Sequence, residues 1–249
     1  MKIAVISDIH GNMQALDAVL KDIEKEGCKK ILCLGDLAMA GPEPSETINK
    51  IQELIKTTDF TCIQGNTDEM IVNCDNKIIH MLLENNPVMA HALECDATIV
   101  TEEQKAFLKN LPPKMELDIN GVKILLVHGS PRKNNENIYA DLKIEEVEEM
   151  ISGTDADVIF CGHTHVPCGY QTNTKQTVVN VGSVGRPFSE EPKSCYAIID
   201  IEPDSSFTIK HNLVDYDVKT ASSILEGRGF EGSEKLAAML IHAPSRYPQ

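Results

Sequence analysis

The chain has 249 residues, of which 42% are hydrophobic, enough to build an extended α/β core. Its 38 acidic and 23 basic residues give a formal net charge of −15, and no lysine- or arginine-rich run offsets it. Because an acidic surface repels phosphate backbones and anionic headgroups, this balance argues against nucleic acid or a membrane as partner. The sequence shows no signal-peptide pattern and no apolar run of the ~20 residues needed to cross a bilayer, which predicts a cytoplasmic protein. The eight cysteines form no Cys-x-x-Cys pair, so a disulfide framework is not expected.

The first third of the chain repeats one pattern three times. A short apolar, β-branched run is followed by a polar residue and then by the start of a helix. This βαβ organisation predicts parallel strands joined by right-handed crossovers. The runs are "KIAVIS", "KKILCLG" and "FTCIQG", the polar residues are Asp8, Asp36 and Asn66, and the helices cover about 12–26, about 45–56 and a stretch from 67 onward.

The middle of the chain changes from helix to strand. Residues 68–112 have the spacing of helices, with Pro87 interrupting the pattern. An Asn-Gly pair at 120–121 lies between two apolar runs, and because this pair favours positive φ angles, it predicts a β-hairpin. An acidic helix at 144–152 and a buried strand at 157–162 follow.

The last part of the chain predicts short strands over 166–215 and then two helical patterns on either side of the glycine-rich "EGRGFEG". These two patterns form a C-terminal helical segment of about 216–243. No linker, low-complexity tract or charge block marks a boundary along the chain, so we predict one mixed α/β domain over 1–249.

Five predicted strands end in polar residues whose side chains can bind metal ions. Open α/β sheets bind ligands beyond the carboxyl ends of their strands, so neighbouring ends of this kind would form one pocket of carboxylates, an amide and imidazoles. So many donors exceed one tetrahedral site and suit two ions of octahedral-like coordination that share a carboxylate. The residues are Asp8, His10, Asp36, Asn66, His128, His163 and His165.

Several of these residues also have a structural interpretation. Asp8 or Asn12 could cap a helix, and Asn66 followed by Thr67 is an ordinary helix start. A single histidine at the end of a strand, such as His128, more often serves packing than a metal. The pair in "GHTH" is harder to explain by packing, and the whole set, always at strand ends, favours a metal site.

The ordered motifs "DIH", "GD", "GN", "HG" and "GHTH" resemble those of the calcineurin-like metallophosphoesterase superfamily. The stretches "SDIHGNMQALDAVL", "GDLAMAGPEPSETI", "HGSPR" and "NVGSVGRP" are similar to its small bacterial and archaeal phosphodiesterase branch, and the resemblance extends from residue 1 to about 243. It implies a four-layer α/β/β/α sandwich of two mixed β-sheets flanked by helices. It also implies a first metal held by Asp8, His10, Asp36 and His165, and a second held by Asp36, Asn66, His128 and His163, with Asp36 bridging.

The resemblance further implies a dinuclear metal-dependent phosphoesterase in which a metal-bridging hydroxide attacks phosphorus, with Asp36, Asn66 and His128 taking part in catalysis. The expected substrates are phosphodiesters or phosphoanhydrides, possible examples being nucleotides such as dinucleoside polyphosphates. Phosphomonoesters and cyclic nucleotides are alternatives. A non-catalytic scaffold, like the retromer subunit with this fold, is an alternative of another class, but this sequence keeps all seven ligands. Mn²⁺ is the first choice of metal, and Fe, Zn²⁺, Ni²⁺ and Mg²⁺ stay open.

Three further residues are candidates for binding the substrate: Arg132, Arg186 and Asn12. Arginine forks match phosphate oxygens, although either arginine could equally pair with a surface carboxylate. The sequence departs from the family at Thr67, because the third motif reads "GNTD" where a histidine normally follows the asparagine. In the family that histidine helps protonate the leaving oxygen, so its absence implies either that another group takes this role or that the substrate has a good leaving group. The oligomeric state is left open by the sequence.

Overall fold

The computed structural model describes residues 1–188 and 191–244. Ten strands lie in these residues: β1 (Lys2–Ile6), β2 (Lys30–Cys33), β3 (Phe60–Cys62), β4 (Lys114–Ile119), β5 (Val122–Val127), β6 (Val158–Cys161), β7 (Cys168–Gln171), β8 (Thr177–Asn180), β9 (Ser194–Ile201) and β10 (Phe207–Val214). The helices of the same residues are α1 (Met13–Glu26), α2 (Pro44–Thr57), α3 (Asn66–Val72), α4 (Asn76–Asn85), α5 (Pro87–Ile99), α6 (Glu102–Asn110), α7 (Ile144–Met150), α8 (Val218–Gly227) and α9 (Ser233–Ile241).

The strands form two five-stranded mixed sheets. The first has the order β10-β9-β1-β2-β3, with β1, β2 and β3 parallel as the repeated βαβ pattern predicts. The second has the order β4-β5-β6-β8-β7, with β5, β6 and β8 parallel. The predicted hairpin joins β4 to β5, and Asn120 and Gly121 have the positive φ angles of +51° and +80° that its turn requires.

Alternation along each strand builds the layers. In β1, Ile3 and Val5 point into the core between the two sheets, where they join residues of the second sheet such as Phe160. Ala4 and Ile6 point to the other face of the first sheet, into a core shared with the helices on that side. A third core packs α7 against the second sheet. The predicted α/β/β/α sandwich is therefore confirmed.

The strand ends that carry the predicted metal ligands come from both sheets. The segments after β1, β2 and β3 leave the first sheet, whereas those after β5 and β6 leave the second. In a single open sheet, ligands bind beyond the carboxyl ends of the strands. Here two stacked sheets present their carboxyl ends at the same edge of the sandwich. This stacking is what allows residues far apart in sequence to share one site.

Pro87 does not simply interrupt a helix: it lies in the first turn of α5, where its missing N–H has no intrahelical partner to lose. None of the helices in the described ranges combines the length and the apolar character that a bilayer crossing demands. All eight cysteines lie within those ranges, and all are free thiols, as the sequence predicts.

Candidate metal centre

The seven predicted ligands all lie in turns or ends that follow a strand. Asp8 and His10 follow β1, Asp36 follows β2, and His163 and His165 follow β6. Asn66 begins α3 just after β3, and His128 follows β5. Five of the seven have left-handed backbones: Asp8 (φ 56°), His10 (φ 47°), Asp36 (φ 54°), His163 (φ 67°) and His165 (φ 63°).

This backbone geometry is costly for residues other than glycine. A left-handed conformation costs roughly 1–3 kcal/mol at such a residue, and it persists where surrounding contacts impose it. Here the main chain of one turn bonds to another: His10 N–H donates to Asp36 O at 2.9 Å, and Asp8 N–H donates to Gly35 O at 3.1 Å. The turns after β1 and β2 therefore hold each other in the strained form that directs their side chains to one point.

Each carboxylate uses one oxygen for the protein and leaves the other in the site. Asp8 Oδ2 accepts the N–H of His163 at 3.0 Å, and Asp36 Oδ1 accepts the N–H of Thr67 at 2.8 Å. A side chain at Gly162 would have its Cβ 2.1 Å from Ser7 Oγ and 2.5 Å from Asp8 Oδ2, so only glycine fits beside this carboxylate.

Three imidazoles are oriented in the same way. The Nδ1 atoms of His10, His128 and His165 lie 2.9, 2.8 and 2.7 Å from main-chain carbonyls. A carbonyl can only accept, so these contacts place the N–H on Nδ1 and leave a lone pair on Nε2 in the neutral ring. A partner of this kind on the second ring nitrogen is typical of metal-binding histidines. The carbonyls belong to Met39, Leu34 and Arg186 respectively.

The free atoms converge in two groups that share Asp8. One group is Asp8, His10 and His165, the other is Asp8, Asp36 and His128, and within each group the ligand atoms lie within 4.8 Å of one another. Asp36 Oδ2 lies 3.7 Å from His10 Nε2 and 3.3 Å from His128 Nε2, which places it between the two groups. That position suits the bridging role implied for Asp36, although Asp8 Oδ1 also lies 3.8 Å from both nitrogens.

Asn66 and His163 stand at the more open side. Both are half-buried, whereas Asp8, Asp36 and His128 are at most 2% exposed. The ring of His163 lies edge-on to that of His128, with centroids 5.4 Å apart, and it is not a member of either tight group. Among the seven predicted ligands, these two side chains are therefore the more exposed to solvent.

The buried atoms of the site fit a cation. Asp8 Oδ1, Asn66 Oδ1 and His128 Nε2 are buried and have no hydrogen-bond partner. A buried polar atom without a partner costs free energy, and such atoms are rare in folded proteins. These three atoms belong to a carboxylate, an amide and an imidazole, which are donor types that divalent metal ions bind.

The pKa shifts of His128 and Asp8 also favour a bound cation. Burial alone lowers the pKa of His128, but the charges of Asp36 and Asp8 outweigh it and raise that pKa to about 10. Burial alone raises the pKa of Asp8, but the charges of His165 and His128 lower it well below its usual range. Two ionised carboxylates in this pocket thus attract positive charge, which a divalent ion supplies.

One positioning residue was missed by the sequence interpretation. Asp68, the last residue of "GNTD", is fully buried, and its carboxylate accepts the N–H groups of Asp36, Leu37 and Gly65, each at 2.9 Å. Burial and the charge of Asp36 raise its pKa to about 7. An acid at the third position of a helix is a capping signal that could have predicted the bond from Gly65 N–H, but not the long-range bonds from Asp36 and Leu37.

Asn12, a predicted substrate-binding residue, has a structural role inside the protein. It is fully buried and caps α1, its Oδ1 accepting the N–H of Ala15 at 3.1 Å, and its Nδ2 donates to Gly185 O at 2.9 Å. Both ends of its amide are therefore used inside the protein. Thr67 is also buried, and its hydroxyl donates to Ala38 O at 3.1 Å. The Thr67 hydroxyl therefore has no proton left to donate to a ligand.

The two candidate arginines lie in different surroundings. Arg132 is exposed, and its guanidinium forms two hydrogen bonds with Glu136, at 3.0 Å from Nε and 2.7 Å from Nη2. Arg186 is half-buried, and among the described residues no carboxylate comes within ion-pairing distance of it; its Nη1 contacts Met89 Sδ at 3.5 Å. Burial lowers the pKa of Arg186 to about 10, against the charge of Asp36, so it stays positive at neutral pH.

Comparison with known proteins assigns the family. Residues 1–204 match the family model of the calcineurin-like phosphoesterase superfamily domain. The uncharacterized protein MJ0912 of Methanocaldococcus jannaschii is 33% identical over 233 residues, covering 88% of this chain and 89% of that protein. Phosphodiesterase YfcE of Escherichia coli is 24% identical over 208 residues, covering 80% and 88%.

A solved structure extends the likeness over nearly the whole chain. The crystal structure of hypothetical protein PH1004 from Pyrococcus horikoshii superposes with a TM-score of 0.86 at 25% identity, covering 98% of this chain and 99% of that one. The chain thus belongs to the calcineurin-like phosphoesterase superfamily, whose members use divalent metal ions, and it is by family a metal-dependent phosphoesterase.

Proposed function

We propose that this protein is a dinuclear metal-dependent phosphoesterase that hydrolyses phosphodiester or phosphoanhydride bonds of small molecules, nucleotides among them. One observation carries the proposal: Asp8 and Asp36 meet the Nε2 atoms of His10, His128 and His165 in one buried site. A strained main chain holds these groups, and buried atoms among them lack partners. The strained backbone and the unpartnered atoms destabilise the folded protein, and bound ions would offset that cost.

Asp8, His10, Asp36 and His165 would hold one ion, and Asp36, Asn66, His128 and His163 the other. When bound, divalent ions act as Lewis acids that lower the pKa of coordinated water and neutralise phosphoryl oxygens. No cysteine belongs to either group of clustered ligands in the described residues, which supports Mn²⁺ over softer metals.

Arg186 is the residue we assign to the substrate phosphate. Its main-chain carbonyl accepts the bond from His165 Nδ1 at 2.7 Å, which fixes the start of its side chain beside the centre. In the described residues its guanidinium has no carboxylate within ion-pairing distance, and it interacts electrostatically with Asp36 at longer range. A guanidinium in such a position binds phosphoryl oxygens through two parallel N–H donors.

A cationic cavity next to His128 supports substrates with more than one phosphate. The cavity has a volume of about 250 Å³, and Lys114, Arg132 and Lys133 line it together with His128 and Ser130. No carboxylate lines it, although the protein carries a charge of −15. Since positive charge concentrated in one cavity attracts anions, the cavity suits the second phosphate of an anhydride.

Thr67 adds support for a good leaving group. Its hydroxyl is tied to the Ala38 carbonyl, so it offers no proton to a leaving oxygen. A phosphate that leaves from an anhydride needs little protonation, whereas an alkoxide needs much. This favours anhydrides and activated diesters over alkyl phosphomonoesters. Hydrolysis of such small molecules agrees with the cytoplasmic location predicted from the sequence.

Hydrolysis of bis-para-nitrophenyl phosphate and of a panel of nucleotides, with Mn²⁺ added or chelated, tests the proposal. We expect turnover that depends on Mn²⁺ and a preference for dinucleoside polyphosphates over nucleoside monophosphates. Metal analysis of the isolated protein identifies the native ion. Absence of metal-dependent turnover on every ester and anhydride would refute the proposal and favour the non-catalytic scaffold.

A further inference from the structure

The C-terminal helical segment reaches the back of the metal centre through one side chain. Arg228 directly follows α8, at a position beyond residues 1–204 that match the family model. Its side chain is 9% exposed, and its Nη1 donates to Gly41 O at 2.7 Å. Its Nη2 forms an ion pair with Asp96, which lies on α5.

Asp96 connects the same loop from the other side. It is completely buried, and its Oδ2 accepts the N–H of Ala40 at 2.8 Å while Oδ1 binds Arg228. Arg228 and Asp96 therefore bind the two adjacent main-chain units of Ala40 and Gly41. No element of the motif pattern predicts this pair, because its members lie 132 residues apart.

The loop that they hold contacts a predicted metal ligand directly. Met39 and Ala40 have left-handed backbones, with φ of 83° and 62°, and Met39 O accepts the N–H of His10 Nδ1 at 2.9 Å. Gly41 packs so closely on the main chain of His10 that a Cβ at this position would lie 1.4 Å from His10 O. The position of the loop thus determines the orientation of the His10 ring.

From these contacts we infer that the Arg228–Asp96 ion pair is a positioning clamp for His10. It holds the strained Met39–Ala40–Gly41 loop so that Met39 O fixes the His10 ring with Nε2 facing the first metal site. The inference rests on the proposed metal centre, but not on the identity of the substrate. Neither residue touches a ligand atom of the centre, so both act through the loop and through His10.

The chemistry of the pair makes arginine specific. One guanidinium spans Gly41 O and Asp96 with separate nitrogens, and a lysine ammonium, which is a single point charge, does not reproduce that fork. Partners that orient a metal-binding histidine change metal affinity by roughly 10- to 100-fold when they are lost. Arg228 does not bond to His10 itself but holds the loop that does. We therefore expect the loss of Arg228 to lower metal affinity by a factor near the lower end of that range.

Mn²⁺ binding to the full chain tests the clamp without any substrate. The variants are Arg228→Met and Arg228→Lys, with Leu240→Ala as a matched control, because Leu240 is 5% exposed on α9 and belongs to the core that the same segment builds. Calorimetric titration with Mn²⁺ gives both affinities, and the thermal midpoint gives the stability of each variant. We expect Arg228→Met to lower the affinity for one Mn²⁺ ion about 10-fold and for the other less than about 3-fold. The affinities of Arg228→Lys should lie between those of the wild type and Arg228→Met. Leu240→Ala should lose stability while keeping both affinities.

A second readout follows His10 itself in the metal-free protein. In the wild type, the ¹⁵N shifts of the His10 ring should show the Nδ1–H form, since Met39 O accepts that proton. Arg228→Lys should shift the ring toward a mixture of tautomers, and Leu240→Ala should not. If Arg228→Met does not fold, this measurement on Arg228→Lys still tests whether Arg228 positions the His10 ring.

Two outcomes would overturn the clamp: wild-type Mn²⁺ affinities in a folded Arg228→Met protein, or an unchanged His10 tautomer in Arg228→Lys. Failure of the proposed metal centre has a different signature, namely that the wild type itself binds no Mn²⁺. In that case the His10 tautomer still tests whether Arg228 positions the ring.

Discussion

His10 and His165 are separated by 155 residues in the chain, and their Nε2 atoms lie 3.1 Å apart. Both rings place Nδ1 against a main-chain carbonyl, so in the neutral state both Nε2 atoms carry lone pairs. Two acceptors at this distance repel each other unless a proton or a cation lies between or beside them. Two nitrogens that each lie about 2.1 Å from one ion are about 3 Å apart when they subtend a right angle, which matches the observed separation.

Metal ions should therefore stabilise the folded protein. At a free concentration 100 times Kd, one bound ion adds about 2.7 kcal/mol to the free energy of unfolding. For a chain of this size, that corresponds to a rise in Tm of roughly 5–10 °C. A thermal melt with Mn²⁺ and with a chelator measures the difference, and Mg²⁺ shows how far it depends on the ion. Equal melting temperatures in all three conditions would contradict the metal assignment.

Asp36→Asn should abolish turnover and leave the fold intact. The amide keeps an oxygen for the Thr67 N–H, but the charge at Oδ2 between His10 and His128 is lost. We expect kcat to fall at least about 100-fold, as when a group that stabilises transition-state charge is removed, and metal content to drop below that of the wild type. Asp17→Asn, an exposed change on α1, is the matched control and should behave like the wild type. Retained activity in Asp36→Asn would rule out the bridging role.

Gly162→Ala tests whether the close approach to Asp8 is required. The new Cβ would lie 2.5 Å from Asp8 Oδ2, so the carboxylate has to move away from its present place. We expect weaker Mn²⁺ binding together with a stability loss of about 1–3 kcal/mol, the usual cost of forced overpacking. Gly169→Ala is the control, because its Cβ would meet only Val178 O at 3.9 Å, and it should change stability by less than about 0.5 kcal/mol. Denaturant titration and calorimetry measure both quantities.

The two arginines should differ in what they recognise. Arg132→Ala should raise KM for a dinucleoside polyphosphate far more than for a small aryl phosphate, because the cavity that Arg132 lines next to His128 is the one we assign to a second phosphate. Arg186→Met should lower kcat/KM for both substrates by a similar factor, since its charge lies beside the centre itself. Steady-state kinetics on the two substrates separate these effects. An equal effect of Arg132→Ala on both would assign that arginine to its Glu136 pair alone.

Thr67→His should restore a proton donor for poor leaving groups. The imidazole would replace a side chain that now only bonds to Ala38 O. General acid catalysis contributes roughly 10²–10⁴-fold where it is available, so we expect a gain of at least about 10-fold on alkyl phosphodiesters and little change on anhydrides. The ratio of the two rates is the measurement, and no gain on alkyl esters would refute our account of this position.

Some features followed from local sequence alone. A short apolar run followed by a polar residue and a helix start is a pattern that spans only about ten residues. The helices and the β4–β5 hairpin lie where such local patterns predict them. The choice of Asp8, Asp36 and the histidine pair of "GHTH" as site residues depended only on their places after strands. The family followed from the order of the same motifs.

Long-range contacts decided the remaining roles, because a side chain's partner depends on which distant segment folds against it. The stacking of two sheets brings His128 and His165 to Asp8. The amide nitrogen of Asn12 is bound by Gly185 O, and Asp68 bonds to the main chain of Asp36 because the turn after β2 folds over α3. The sequence by itself indicated which groups are candidates for the site, because each follows a strand. Only the tertiary structure decided which side chains keep free atoms and which hold the main chain of the others, because those contacts join distant segments.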